Sequence, residues 1–186
     1  MPIRSSSPAI PFRPMVVAGV MSGTSADGID VVLVHLRPNR GKLKLELLAH
    51  EAYPYPRILR QAVLAAMDAK STSTAELGRL NWRLGQAYAE AIRRTVSEHP
   101  CKLQLVGCHG QTIYHQGTPA LYAGRQVACT WQIGEPALLA AEIQVPVVSN
   151  FRPADMVADG QGAPLVPLLD YVQFADAKCA RVLQNI

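Results

Sequence analysis

The sequence predicts an α/β domain built on a mixed sheet, and three observations carry that prediction. The chain opens with three consecutive strand-like segments. Helical and strand-like segments then alternate, the pattern of helices packed on a sheet. Apolar residues make up 49% of the 186 residues and charged residues 17%, the balance of a chain with one sizeable core.

Taken in order, residues 1–14 contain four prolines and three serines and lack the continuous apolar core of a secretory signal. They read as a flexible tail. Residues 15–21 and 28–36 are valine-rich and nearly continuous in apolar character, as buried strands are. In the next segment Leu43, Leu45 and Leu47 alternate with Lys42, Lys44 and Glu46. That two-residue period predicts a third strand with its leucines on the core and its charges in solvent. The three strands form an antiparallel meander, which Pro54 and Pro56 end.

Residues 57–69 read as a helix. Ser73 and Glu76 have the spacing of a capping box. Leu77, Leu80, Leu84, Tyr88, Ile92 and Val96 follow at steps of three and four, one apolar helical stripe that stops before Pro100. Residues 103–108 predict a buried strand running into a polar turn, and 115–126 a loop. A short strand around Trp131 and a helix from near Gly134, with Pro136 in its first turn, come next. Residues 145–150 read as a short strand, 151–165 as a long polar loop, 164–175 as a helix and 180–186 as a final strand.

Composition excludes some classes of partner. The net charge is +4, but Arg4 and Arg13 lie in the tail, and no basic stripe with interleaved aromatics points to nucleic acid. No run approaches the ~20 apolar residues of a membrane span, so a soluble protein is expected. Cys101, Cys108, Cys129 and Cys179 show no C-x-x-C spacing. Reduced thiols in a cytoplasmic protein are the simplest expectation.

The chemistry concentrates in three stretches. The first is the turn in "GVMSGTSADGIDVVLVHL". Its glycines let backbone amides face an anion, and Ser22, Thr24 and Ser25 add hydroxyl donors. Asp27 offers an oxygen ligand for magnesium. No lysine is present, so it is not a Walker A loop. Composition alone leaves the turn undecided between a phosphate cradle and an ordinary polar hairpin.

The second stretch is "GCHGQT", where His109, Gln111 and Thr112 stand beyond a strand's carboxyl end, able to meet sugar hydroxyls. The plainer alternative is a satisfied histidine at a strand end. Cys108 and His109 point to opposite faces, which argues against a cysteine hydrolase. The third stretch, "NFRPADMVADGQGAPL", offers Arg152 as a fork for carboxylate or phosphate. There Asp155 is either a hydroxyl acceptor or a brace for Arg152. Trp131 and Glu135 are minor candidates, explained equally by core packing and by the helix dipole.

Four segments, "GVMSGTSADGIDVVL", "GCHGQT", "QIGEPALLA" and "FRPADMVADGQGAPLVP", occur in an order and spacing that closely resembles the 1,6-anhydro-N-acetylmuramic acid kinases. The resemblance covers nearly all of the chain after the tail. It implies an actin-like ATPase (ribonuclease H-like) fold of two α/β domains flanking a cleft. It implies magnesium-ATP as cofactor and hydrolytic opening of 1,6-anhydro-N-acetylmuramic acid with phosphorylation of O6, in recycling of cell-wall sugars. By that resemblance Gly23, Thr24, Ser25, Ala26, Asp27, Gly28, Ile29 and Asp30 match the ATP phosphate loop, with Asp27 the metal residue and Asp30 its alternative. Thr112, Arg152 and Asp155 match sugar contacts.

The family's Gly-Gly-Gln-Gly is here Asp159-Gly160-Gln161-Gly162, so a role needing the first glycine's backbone freedom is not carried over. Relatives run to roughly twice this length. The expectation is therefore a first domain at 15–178 and the first strand of a truncated second domain at 179–186. The catalytic aspartate and the adenosine site would lie beyond Ile186, leaving no catalytic base in this chain, and full-length relatives suggest a homodimer. The competing expectation is a sugar- or phosphate-binding fragment without turnover. A stand-alone kinase is a third, with Asp155 as the one candidate base.

Overall fold

The computed structural model describes residues 13–39, 42–67, 69–176 and 178–180. β1 (Met15–Ser22), β2 (Gly28–Asn39) and β3 (Lys42–Pro54) form the expected antiparallel meander. β4 (Leu103–Tyr122) lies parallel to β1, giving the order β3-β2-β1-β4-β5 with β5 (Arg125–Ile133). β6 (Val147–Val148) pairs in parallel with β4 at Val106 and Gly107. The mixed α/β sheet predicted from sequence is therefore present. The expected strand at 180–186, except residue 180, lies outside the described residues, as does the tail before residue 13.

α1 (Arg57–Ala66), α2 (Thr74–Glu98) and α3 (Pro136–Ile143) cover one face of the sheet. Ser73 caps α2 by accepting from the Glu76 amide at 3.1 Å, as the capping-box spacing predicts. The apolar stripe of α2 delivers Leu80, Leu84, Tyr88 and Ile92 to the core, against Ala18, Val20, Val31 and Leu33 of the sheet.

Four expectations are corrected. The alternating leucines of β3 face away from the helices. Val31 and Leu33 point into the core, whereas Leu43, Leu45 and Leu47 pair with Pro38, Leu36 and Val34 on the opposite face. The cause is an extra residue, Leu48, where the register shifts between Leu33 and Val34. One inserted residue exchanges the two faces of everything beyond it.

Residues 109–112, expected as a polar turn beyond a strand's end, continue β4 because they pair with β1 and β5, and residues 115–126 form a hairpin rather than a loop. Ala123 and Gly124 take φ +47° and +81°, both positive, as a two-residue hairpin turn requires. Pro119 falls in the irregular stretch between Gln116 and Ala120, where no ladder bond is required of it.

Residues 151–157 form a short helix, α4 (Phe151–Val157), not loop. Pro153 sits in its first turn, where a missing amide hydrogen costs nothing. α4 lies on the face away from α2, with Phe151 over Gly107. α5 (Val166–Phe174) follows.

The burial pattern makes a stability prediction. Leu84 is fully buried and Leu47 is 61% exposed. In urea unfolding of this chain, Leu84→Ala is expected to lose about 2–5 kcal/mol. Leu47→Ala is expected to change stability by no more than about 0.5 kcal/mol. Equal losses would place the leucine face of β3 in the core.

Candidate functional site

The parallel register sets Ser22 of β1 beside Gln111 of β4. β1 ends there, whereas β4 runs on to Tyr122, so the turn after β1 lies beside the middle of β4. The turn after β1 is held at several points. The Ala26 amide donates to the Gly23 carbonyl at 3.1 Å, and Ala26 itself is buried at φ +53°. Arg60 of α1 donates from Nε to the Ala26 carbonyl at 3.0 Å and from Nη2 to Asp27 Oδ1 at 3.3 Å. The Tyr55 amide donates to the Asp27 carbonyl at 3.1 Å. Thr24 and Ser25 are exposed at the tip, and among the described residues neither their amides nor their hydroxyls have a hydrogen-bond partner. Free amides and hydroxyls on a clamped turn fit an anion such as a phosphate group.

Beneath the turn lies a buried polar network. Ser22 Oγ and the Tyr88 hydroxyl are 2.7 Å apart. The Tyr55 hydroxyl donates to Gln111 Oε1 at 3.4 Å. Gln111 Nε2 donates to the carbonyls of Gly23 at 3.1 Å and Thr112 at 3.3 Å. Burial pushes the Tyr88 hydroxyl well above its ordinary value and raises that of Tyr55. Both therefore remain neutral donors. α2 thus touches the turn through Tyr88, and α1 through Arg60.

On the β4 side, alternation sends Cys108 into the core and His109 to the opposite face. Burial raises the Cys108 thiol to about 11, so it is an inert core residue, consistent with the exclusion of a thiolate pair. His109 Nδ1 is 2.8 Å from the Gly110 carbonyl, and Arg152 Nε donates to His109 Nε2 at 2.9 Å. Burial lowers the His109 pKa most, with the Arg152 charge adding to it against the Gly110 bond. Thr112 Oγ1 is buried and accepts from Gln132 Nε2 at 3.3 Å. Gln132 Oε1 is buried beside it and has no partner among the described residues.

Asp155 does not brace Arg152. Its Oδ2 accepts from the Gly162 amide at 2.7 Å, and its carbonyl from the Gly160 amide at 2.8 Å. A Cβ on Gly160 would fall 2.1 Å from Asp155 Oδ2, so a larger residue there would displace that carboxylate from the Gly162 amide. Asp159 takes φ +67°. The left-handed conformation that glycine adopts freely is thus met here by aspartate, which tolerates it better than most residues.

The remaining sequence candidates divide. Gly23, Thr24, Ser25, Ala26 and Asp27 form the turn. Gly28, Ile29 and Asp30 are already in β2. A Cβ on Gly28 would lie 2.3 Å from the Tyr53 carbonyl. Ile29 is in the core, and Asp30 Oδ1 lies 3.1 Å from His50 Nε2 across the meander. Glu135 caps α3 by accepting from the Ala137 amide at 3.1 Å, and also accepts from Asn81 Nδ2 at 3.0 Å. Trp131 is half exposed. Arg60, Tyr55, Tyr88 and Gln132 were missed. Tyr88 was legible only as one more member of an apolar stripe.

Among the described residues the acidic and histidine groups close enough to share a metal ion are Glu51, Glu98 and His99, where β3 meets the end of α2. Asp27 is not among them. Its Oδ1 is taken by Arg60, which leaves Oδ2 to meet a cation directly or through water.

A mixed α/β sheet led by an antiparallel meander, with a parallel strand beside β1 and helices on its face, has the architecture of the actin-like ATPase fold. The chain belongs to the anhydro-N-acetylmuramic acid kinase family: residues 15–186 match the family described as AnmK, Anhydro-N-acetylmuramic acid kinase. It is 42% identical over 175 residues to a Bacillus cereus protein named anhydro-N-acetylmuramic acid kinase, covering 92% of this chain and 45% of that one. It is 43% identical over 173 residues to a Salinibacter ruber protein of the same name, covering 91% and 44%. The chain spans about half the length of the curated relatives it matches. No helix among the described residues is long and apolar enough to cross a membrane.

The burial of His109 yields a pH prediction. Its pKa in the fold lies below the ordinary value of about 6.5. The neutral ring's contribution is complete above pH ~6.5. It is lost as pH falls through the lower, folded-state value, because the unfolded chain takes up the proton first. Unfolding midpoints measured from pH 7.5 to 5 are expected to fall faster for this chain than for His109→Gln. Parallel curves would contradict the assignment.

Proposed function

We propose that this chain is the phosphate- and sugar-binding part of an ATP-dependent kinase. The kinase hydrolytically opens 1,6-anhydro-N-acetylmuramic acid and phosphorylates O6, giving N-acetylmuramic acid 6-phosphate in cytoplasmic recycling of cell-wall sugars. The observation that carries the reading is the pairing of β1 with β4, which sets the clamped turn after β1 beside residues 109–112, with Arg152 hydrogen-bonded to His109. Family membership supports the sugar, and the relatives' name supports the kinase.

In this reading the amides and hydroxyls of Thr24 and Ser25, with Gly23 and Ala26 shaping the backbone, receive the β- and γ-phosphates. Gly28, Ile29 and Asp30 anchor the turn in β2. Asp27 would help to hold magnesium, which would supply neutralisation of the phosphate charge. Thr112 and Arg152 orient the sugar, and Asp155 acts through the turn at 160–162. Phosphoryl transfer depends mainly on such positioning and charge stabilisation. The base that takes the proton from the attacking water is assigned to residues outside this chain, and the full-length protein is assigned as a homodimer.

One observation favours a second reading, a binding fragment without turnover. Asp27 is engaged by Arg60 and Asp155 by Gly162, so neither carboxylate is poised as a free base.

The test is a coupled ADP assay with 1,6-anhydro-N-acetylmuramic acid on two proteins. One is the 186-residue chain and the other a protein joining these residues to the remaining length of a relative. Sugar-dependent ADP release is expected in the longer protein, and Arg152→Ala is expected to lower its kcat/KM at least about tenfold. Release that is independent of the sugar in the longer protein sinks the kinase reading. Release by the short chain alone sinks the binding-fragment reading.

A further inference from the structure

We infer that His109 is a positioning residue: its ring holds one edge of the Arg152 guanidinium, so that the arginine fork meets its ligand in a single orientation. The inference rests on the reading of Arg152 as a substrate contact.

The geometry allows only one protonation pattern for the pair. A carbonyl can only accept, so His109 Nδ1, 2.8 Å from the Gly110 carbonyl, carries the ring hydrogen. In the neutral ring Nε2 is then a lone pair. Arg152 Nε, 2.9 Å away, can only donate, and it meets that lone pair. The opposite tautomer, or the charged ring, would set two N–H groups against each other. Gly110 takes φ +77°, and its carbonyl faces Nδ1 of the preceding residue.

The bond occupies only the Nε edge of Arg152. Among the described residues its two Nη groups have no hydrogen-bond partner. A free arginine side chain carries about 2 kcal/mol of rotamer entropy. Fixing one edge removes much of that freedom before the ligand arrives. Two parallel N–H groups then remain, the arrangement that receives a carboxylate or phosphate in bidentate fashion. Phe151 packs over Gly107 immediately before Arg152, so the backbone that carries the arginine is also seated on β4.

The bond and its consequence are tested separately. In the ligand-free chain, 15N NMR of the imidazole and guanidinium nitrogens reads the bond. A neutral Nδ1–H tautomer and a protected Arg152 Nε–H are expected. The protection is expected to vanish in His109→Leu and to persist in His109→Gln, whose amide oxygen can replace Nε2. The Nε2–H tautomer overturns the proposal.

Calorimetric titration with 1,6-anhydro-N-acetylmuramic acid reads the consequence. Arg152→Ala and His109→Leu are each expected to weaken binding about tenfold, His109→Gln by less than about threefold, with circular dichroism unchanged. Wild-type affinity in His109→Leu, with Arg152→Ala impaired, overturns the positioning role and leaves the substrate reading intact. Equal binding by wild type and Arg152→Ala removes the substrate reading and with it the role of the pair, whatever the NMR shows.

Discussion

Because β1 and β4 run parallel and side by side, the turn that ends β1 falls beside residues 109–112 of β4, and every other feature of the site depends on that pairing. A parallel neighbour cannot be reached by a tight turn. The chain between them is therefore long: β2, β3, α1 and α2 all intervene. That excursion also provides the supports of the site. α1 returns Arg60 to the turn it left, and α2 brings Tyr88 beneath Ser22. One backbone constraint thus sets the position of the turn and of the side chains that stiffen it.

Bringing the polar end of β1 against polar residues of β4 inside a core has a cost. An unmade hydrogen bond on a buried polar group costs about 1–3 kcal/mol. Ser22, Gln111, Thr112, Tyr55 and Tyr88 are all buried here, and each has a partner. Gln111 is the centre of the arrangement. It accepts from Tyr55, and it donates to the first carbonyl of the turn and to its own strand. A leucine of similar size would fill the space but leave the Gly23 carbonyl and the Tyr55 hydroxyl without those bonds. The network therefore specifies the conformation of the turn more than it adds to overall stability.

The long-range frame was legible because it rests on patterns that survive in one dimension. The stripe from Leu77 to Val96 and the valine-rich runs needed no knowledge of their partners. What escaped was set by single residues acting through register or by distant pairing. Leu48 exchanged the faces of β3 through one inserted position. Ala123-Gly124 made a two-residue turn without the Asn-Gly or Asp-Gly signature that marks such turns. α4 was hidden by Pro153 and polar neighbours. In the site, His109, Gln111, Thr112 and Arg152 were legible by residue type, though the first three lie within β4 and Arg152 in α4 rather than in turns or loops. Their pairing was not, because the hydrogen bond from Arg152 to His109 spans 43 positions of sequence.

The two halves of the site recognise ligands by different physical means, and this determines how each can vary. The turn offers backbone amides and short hydroxyls, so its chemistry belongs to a conformation rather than to particular side chains. Substitutions there act by changing φ and ψ, as the left-handed Ala26 illustrates. The His109–Arg152 side offers a directed charge whose aim depends on a partner ring. Substitutions there change what is recognised while leaving the backbone in place. Asp159 belongs with the first kind. It departs from glycine in chemical identity yet keeps the positive φ, so the bend at 159–162 persists. In such segments the conformation is the constrained property, and the residue type follows from whichever side chains can adopt it.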